Sequence, residues 1–193
     1  MIIIGEKLNS SIPSVHEAIE KRDVAFVQDL ARRQEEAGAH YLDINAGMFV
    51  EQECEHLRWL MQTVQEATSL PLVIDTPDPA VASVLAKEYK GEKPIINSVT
   101  LEQNRFEPML QAALENHTGL VALCMDDSGV PDGVERRIQL AGELVERLTK
   151  EGLSREDIYL DPMVRPAGSG EAYGLEALES IRAIREKLPD IHI

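Results

Sequence analysis

The sequence has few of the residues that cross-link small secreted domains or build zinc sites, with two cysteines in 193 residues. Cys54 and Cys124 lie far apart and outside any C-x-x-C pattern, which argues against a disulfide framework and a structural zinc site. The five histidines are scattered, without H-E-x-x-H spacing. We therefore expect both cysteines to be core thiols and predict no resident metal.

Basic residues and long apolar runs are also scarce. The chain carries 34 acids against 19 Lys plus Arg, a formal net charge of −15. Nucleic acid and anionic lipid are bound by clustered positive charge, so this balance disfavours DNA, RNA and membrane partners. No stretch approaches the roughly 20 apolar residues of a membrane span, and the start MIIIGEKLNSS lacks the features of a signal peptide. We expect a globular, cytoplasmic protein.

The sequence does contain one alternation, in which a short β-rich apolar run precedes a helical pattern, six times over. The runs are MIII (1–4), HYLDI (40–44), LPLVI (70–74), KPIIN (93–97), GLVALCM (119–125) and DIYL (157–160). Continuous apolar runs are typical of parallel strands covered by helices on both faces. No G-x-G-x-x-G or G-x-x-x-x-G-K-[ST] follows any run, which removes the main signal of a nucleotide-binding open sheet.

The number of β/α units favours one architecture. Six units in 193 residues match a barrel of roughly 250 residues that stops early, and the tail LPDIHI resembles the start of a seventh strand. We predict an α/β fold, a (β/α)8 TIM barrel truncated after about six β/α units plus the start of strand 7, with residues 1–193 as a single domain. The alternatives are a doubly wound open sheet, a partner that supplies the missing strand edge, or a different fold.

Polar side chains stand where the apolar runs end. In both parallel architectures ligands collect at the carboxyl ends of the strands, and Asp75, Asn97 and Asp161 each directly end a run. A single such residue is more often a helix cap or turn former, the role we assign to Asp78 and to the pair 126–127. With few basic residues near these strand ends, an acid-lined mouth favours a flat, donor-rich heterocycle over a phosphate.

The segments IIIGEKLN, LDINAG, VIDT, IINS and YLDP, in this order and spacing, resemble the pterin-binding (β/α)8 family, and within it the methyltetrahydrofolate:corrinoid protein methyltransferases. The likeness covers essentially the whole chain. It implies that Asp75, Asn97 and Asp161 hydrogen-bond the pterin. It also suggests a second rank of residues that line the same mouth or hold its loops, namely Glu6, Asn9, Asp43 and Asn45.

The activity implied by this resemblance is transfer of the N5-methyl group of methyltetrahydrofolate to the Co(I) corrinoid (cobalamin) of a partner protein. The family also tends to form homodimers. Its proton-managing Asn follows strand seven, beyond Ile193, so no catalytic residue is assigned and the 193-residue chain is expected to be weakly active or inactive.

Three other interpretations stay open. One is a pterin-binding protein without turnover. Another is a structural subunit of a corrinoid assembly, which would have no affinity for pterin. The third is a different pterin-barrel enzyme such as a relative of dihydropteroate synthase, which typically carries Ser-Thr-Arg-Pro in the loop after strand two. Here AGMFVEQE follows Asn45.

Overall fold

The computed structural model describes residues 2–165 and 172–193. Two compact units are present, the first comprising Met1–Asn97 with Glu115–Thr118 and the second Ser98–Leu114 with Gly119–Ile193. The strands are β1 (Ile4–Asn9), β2 (Tyr41–Asn45), β3 (Leu72–Asp75), β4 (Ile95–Val99), β5 (Gly119–Leu123) and β6 (Ile158–Asp161). The α-helices are α1 (Pro13–Glu20), α2 (Val24–Glu36), α3 (Glu53–Gln65), α4 (Pro79–Glu88), α5 (Phe106–Asn116), α6 (Gly133–Lys150) and α7 (Ala172–Lys187).

The strands of the first unit pair in parallel, β1 with β2, β2 with β3 and β3 with β4. Ile44 aligns with Ile74, and Ile74 with Ile96, and all three side chains are fully buried. Branched apolar residues at registered positions explain why these segments form strands, since they pack well on a pleated surface. Parallel pairing in chain order is what the β/α alternation predicted.

Helices of the first unit bury one face each. In α3 the buried side chains include Leu57, Leu60 and Val64, a spacing that places them on one side of the helix. Helix α4 begins as the sequence predicts, because Asp78 Oδ1 accepts the N–H groups of Ala80 at 2.8 Å and Val81 at 3.4 Å. The short helix α1 was not predicted.

The second unit repeats the pattern. Strands β5 and β6 are parallel, and α6 lies between them in the chain, as the β/α alternation predicts. His192 bridges Tyr159 in parallel, and its carbonyl accepts the Leu160 N–H at 2.8 Å, which confirms the expected beginning of a seventh strand. Cys124 is fully buried, as predicted, whereas Cys54 is half-buried. Within the described ranges, no helix has the length and apolar character to cross a bilayer.

The first strand starts later than predicted. The apolar run 1–4 suggested a strand there, but β1 spans Ile4–Asn9, and Ile2 and Ile3 precede it. Irregular pairing explains the difference, because the β1–β2 register shifts between Gly5 and Leu8, and the Lys7 N–H donates to Gln34 Oε1 of α2 at 2.9 Å. Glu6 therefore lies inside β1 with an exposed side chain, three residues before the strand ends at Asn9.

Candidate functional site

Four polar residues form a row across β1–β4. Asn9, Asn45 and Asp75 end their strands, whereas Asn97 lies two residues before the end of β4, so the prediction that Asn97 directly ends a run was wrong. Asn9 pairs with Asn45, Asn45 with Asp75, and Asp75 with Asn97 across successive ladders. Paired residues of parallel strands point to the same side of a sheet and stand about 4.8 Å apart. We call Asn9, Asn45, Asp75 and Asn97 the polar row. Asp43 lies two residues before Asn45 on β2 and so shares its side of the sheet.

Asn45 fixes the position of the Asp75 carboxylate. Its Nδ2 donates to Asp75 Oδ2 at 2.8 Å, while its Oδ1 accepts from Ser10 Oγ at 3.1 Å and from the Gly47 N–H at 3.0 Å. The Ser10 hydroxyl in turn accepts the Met48 N–H at 3.1 Å. Because two donors occupy the amide oxygen, the amide cannot flip, and it must present its N–H groups to Asp75. Asp75 Oδ1 keeps its capacity to accept from a ligand.

Asp75 sits in surroundings that disfavour its charge. Burial raises the pKa of Asp75, the hydrogen bond from Asn45 opposes this rise, and the negative charges of Glu53 and Glu6 add to it. Within the described residues, no Lys or Arg forms an ion pair with Asp75, Glu53 or Glu6. Hydrogen bonds from the N–H groups of a ligand would therefore offset the cost of burying these carboxylates.

Asp43 and Asn97 form a second linked pair. Asn97 Nδ2 donates to Asp43 Oδ2 at 3.2 Å, which leaves Asn97 Oδ1 as an acceptor for a ligand. Asp43 is 2 % exposed. Burial raises its pKa to about 8, with further increases from the charges of Asp75 and Glu6 and an opposing effect of the Asn97 hydrogen bond. Asp43 thus holds a proton at neutral pH, within the range where a side chain can exchange it during catalysis.

The loop after β2 is anchored over the same region. A 3-10 helix spans Gly47–Gln52, and the Phe49 ring stacks between His16, at a centroid distance of 4.4 Å, and His56, at 4.0 Å. Val50 has φ 39° and ψ −92°, a costly conformation for a β-branched residue that survives only where the surroundings impose it. The Phe49 stack and the hydrogen bond from the Met48 N–H to Ser10 Oγ hold the two residues that precede Val50.

The sequence pattern does not single out Glu53, the first residue of α3. The side chain is 8 % exposed, and its buried Oε1 atom has no hydrogen-bond partner in the part of the chain that the structure describes. An acid in the first turn of a helix is ordinary, because it interacts favourably with the helix dipole, so no sequence signal separates Glu53 from its exposed neighbour Glu55. Only the fold shows that Glu53 is buried near Asp75.

In the second unit, Asp161 ends β6 and shapes the following turn. Its Oδ1 accepts the Met163 N–H at 2.7 Å, and Met163 has φ 62°. Arg137, 2 % exposed, holds this turn by donating from Nε to the carbonyls of Pro162 at 2.9 Å and Met163 at 3.2 Å. Arg137 also pairs with Glu176 of α7. A buried, fully engaged arginine therefore fixes the segment that carries Asp161.

Cys124 does not have the character of a nucleophile. Burial raises its pKa to about 12, with a further increase from the charge of Asp161 and an opposing effect of Arg137. A thiol in that state is not a thiolate at neutral pH and reacts slowly. The sequence-based assignment of Cys124 to the core agrees with this chemistry.

The predicted site residues divide between the two units. The first unit brings together Asp43, Asn45, Asp75 and Asn97, while Asp161 belongs to the second unit. Asn9 Oδ1 accepts the Ser11 N–H at 2.8 Å and so forms a turn. The turn role predicted for Asp126 is confirmed, since its Oδ1 accepts the Ser128 N–H at 2.9 Å. Asp127 Oδ1 instead accepts the N–H of the distant Gln103 at 3.3 Å.

Ser10→Ala tests the support of Asp75 by Asn45. Removing the hydroxyl leaves the Met48 N–H unpaired and takes one donor from Asn45. We expect a loss of about 1–2 kcal/mol in the free energy of unfolding and about 3–10-fold weaker binding of tetrahydrofolate, measured by urea unfolding and calorimetry. Ser11→Ala is the matched control, because the exposed Ser11 bonds through its backbone N–H, which the variant keeps. Equal effects of the two substitutions would contradict this role of Ser10.

Comparisons with known proteins place this geometry in a family. The family model described as pterin binding enzyme matches residues 5–193. The methylcorrinoid:tetrahydrofolate methyltransferase of Eubacterium limosum is 42 % identical, with 100 % of this chain and 72 % of that protein covered. The methionine synthase of Mycobacterium tuberculosis is 25 % identical over 99 % of this chain, which spans only 17 % of that enzyme.

Solved structures support the fold independently of sequence. The dihydropteroate synthase of Xanthomonas albilineans matches with a TM-score of 0.73 and 22 % identity, over 96 % of this chain and 68 % of that one. The enzyme of the same name from Thermus thermophilus matches with a TM-score of 0.67 and 24 % identity, over 99 % and 69 %. These matches confirm the predicted fold class, an α/β barrel present in part. The chain belongs to the family of pterin-binding enzymes.

Proposed function

We propose that residues 1–193 act as one pterin-binding domain that transfers a methyl group between N5 of tetrahydrofolate and the cobalt of a corrinoid carried by a partner protein. The observation that carries this proposal is the hydrogen bonding of the polar row with Asp43. Asn45 donates an N–H to the Asp75 carboxylate, and Asn97 donates an N–H to the Asp43 carboxylate. The site then offers acceptors to a ligand. The 42 % identity to a methylcorrinoid:tetrahydrofolate methyltransferase supports the same reaction.

Pterin recognition follows from the free hydrogen-bonding groups. The pyrimidine edge of a reduced pterin carries a ring N–H and an exocyclic amino group, which suit Asp75 Oδ1 and Asn97 Oδ1. Asp161 is proposed as the third pterin contact from its place at the end of β6. Glu6 is proposed to act through its negative charge, and Asn9 by shaping the turn that follows β1. Fixed groups against one rigid heterocycle give orientation as well as affinity.

The methyl step requires proton management at N5. When methyltetrahydrofolate is the donor, Co(I) supplies the electron pair of the new Co–CH3 bond and becomes Co(III), while the pair of the broken C–N5 bond stays on nitrogen. Tetrahydrofolate leaves readily only if N5 gains a proton. We assign the storage of this proton to Asp43, which carries one at neutral pH. General acid assistance of this kind contributes about 10²–10⁴-fold to a rate.

The same residues serve both directions of transfer. The name of the Eubacterium limosum relative has the methylcorrinoid as donor and tetrahydrofolate as acceptor. In that direction N5 attacks the methyl group, Co(III) returns to Co(I), and the N5 proton must depart. Asp43 then needs to be an acceptor, and a pKa of about 8 allows both roles near neutral pH. We propose that the supply of methyl donor sets the direction.

The setting of the reaction follows from composition and family. We propose that the protein works in the cytoplasm as a homodimer, with a separate corrinoid protein as its partner and without nucleic acid. The formal net charge of −15 supports the last point, since it repels polyanions. No covalent methyl-enzyme intermediate is proposed, because Cys124 is a buried thiol.

The test is a methyl-transfer assay under anaerobic conditions with free cob(I)alamin as the acceptor. Protein at high concentration with methyltetrahydrofolate should convert the Co(I) absorbance to that of methylcobalamin at the low rate expected of residues 1–193, and methylcobalamin with tetrahydrofolate should give the reverse change. Binding of tetrahydrofolate without transfer in either direction would favour the non-catalytic alternative. Condensation of a dihydropterin pyrophosphate with 4-aminobenzoate would favour the synthase alternative instead.

A further inference from the structure

Glu53 is a buried carboxylate with an unpaired oxygen. Its side chain is 8 % exposed, and its buried Oε1 has no hydrogen-bond partner among residues 2–165 and 172–193. Leaving a buried acceptor unpaired costs free energy, and leaving a buried charge unpaired costs more. Its charge–dipole interaction with the start of α3 is favourable but smaller than that cost. A ligand that donates a hydrogen bond to Oε1 would offset this cost and would explain why a carboxylate is buried at this position.

Hydrogen bonds and a ring stack connect the segment before Glu53 to the polar row. Glu53 follows the loop 47–52, which Phe49 anchors by stacking against His56 of α3. The same loop is bonded through Met48 to Ser10, and through Ser10 to Asn45. Glu53 and Asp75 are close enough for the charge of one to raise the pKa of the other. The two carboxylates therefore border the same part of the site.

The chemistry of the site selects the occupant. Asp75 Oδ1, Asn97 Oδ1 and Glu53 Oε1 are all acceptors, so the ligand edge that they face must consist of N–H donors. No three His, Cys, Asp or Glu side chains of residues 2–165 and 172–193 are grouped so as to hold a metal ion, which argues against a cation in this place. A reduced pterin offers four such donors, namely the N3–H, the two N–H of the exocyclic amino group and the N8–H of the reduced ring.

We propose that Glu53 is a substrate-binding residue whose Oε1 accepts an N–H of the pterin ring, beside the N–H groups that Asp75 and Asn97 accept. This inference rests on the proposed function and extends it to a fourth pterin contact. Glu53 contacts the pterin ring and does not contact the acidic tail of folate, which a carboxylate would repel. The free protein carries the cost of the unpaired oxygen, and the bound pterin removes it.

Glu53→Met tests the proposal, because methionine fills a similar volume without a buried acceptor. We expect about 10-fold weaker binding both of tetrahydrofolate and of 6-methyltetrahydropterin, which lacks the tail, measured by anaerobic calorimetry. The thermal midpoint of the free protein should rise by about 2–4 °C, because an unpaired buried carboxylate has been removed. A purely structural role predicts the opposite, a lower midpoint with unchanged affinity.

Glu51→Met is the matched control, since Glu51 lies in the same loop with an exposed side chain, and it should change neither affinity nor midpoint. Glu53→Gln, which keeps an acceptor oxygen, should recover part of the affinity. Unchanged pterin binding by Glu53→Met would overturn the inference, as would a loss confined to the ligand with a tail. If the wild-type protein binds neither pterin, the proposed function itself fails, an outcome distinct from wild-type binding that is insensitive to Glu53.

Discussion

Asp75→Asn is expected to weaken tetrahydrofolate binding by about 30–100-fold while leaving the protein at least as stable as the wild type at pH 7. The loss in affinity corresponds to a hydrogen bond that involves a charged group, about 2–3 kcal/mol. The substituted amide would keep one oxygen to accept from Asn45 Nδ2, so the internal contact survives. What disappears is the negative charge and the second acceptor that the pterin requires.

The stability part of this prediction follows from the sign of the pKa shift. Burial raises the pKa of Asp75 in the folded protein, so the ionised carboxylate is disfavoured there relative to the unfolded chain. Its stabilising contribution is complete below the unfolded pKa and is lost as the pH rises through the folded value. An uncharged amide side chain avoids this loss at pH 7.

The two measurements are calorimetric titration and urea unfolding, each on the wild type and the variant. Asp78→Asn is the matched control, because Asp78 lies three residues further on and caps α4 with its carboxylate. It should lower the free energy of unfolding by less than about 1 kcal/mol, because Asn caps a helix about as well as Asp and only the favourable charge at the helix start is lost, and it should leave binding unchanged. A variant at position 75 that binds normally but unfolds more easily would show that Asp75 is structural, and the pterin site would lie elsewhere.

The sequence predicts the β/α order well because parallel strands covered on both faces require continuous apolar runs, and the runs at β2 to β6 are of this kind. It predicts β1 poorly, because Glu6 and Lys7 interrupt the apolar pattern and pairing depends on Gln34 of α2. The hydrogen-bond partners of the site residues cannot be predicted from the sequence either. The hydrogen bond from Asn97 to Asp43 joins residues on β4 and β2 that are 54 positions apart in the sequence.

Glu53 is a second residue whose environment cannot be predicted from the sequence. Its sequence position is that of an ordinary first-turn acid, and only the tertiary fold buries it. The sequence likewise places Asp43 only among the additional site residues, although burial raises its pKa enough for the side chain to carry a proton at neutral pH. The tips of apolar runs locate a site, but desolvation by distant segments decides which side chain holds a proton and which accepts a ligand.

Asp43→Asn is expected to remove both a pH dependence of stability and most of the catalysis. The pKa of Asp43 rises from 3.8 to about 8 on folding. Its stabilising contribution is therefore complete below about pH 4 and is lost progressively up to pH 8, since only the unfolded chain releases the proton in this window. The slope is at most about 1.4 kcal/mol for each pH unit. The variant should show a flatter profile and a growing stability advantage towards pH 8.

The catalytic effect separates Asp43 from the residues that only bind pterin. In Asp43→Asn the new amide oxygen can still accept from Asn97 Nδ2, so the amide of Asn97 should keep its orientation and tetrahydrofolate affinity should stay within about threefold of the wild type. Without an exchangeable proton, methyl transfer to cob(I)alamin should fall about 100-fold, and the activity change near pH 8 should disappear. Transfer that keeps the wild-type rate and pH profile in this variant would show that N5 receives its proton from a different group, and the assignment to Asp43 would be wrong.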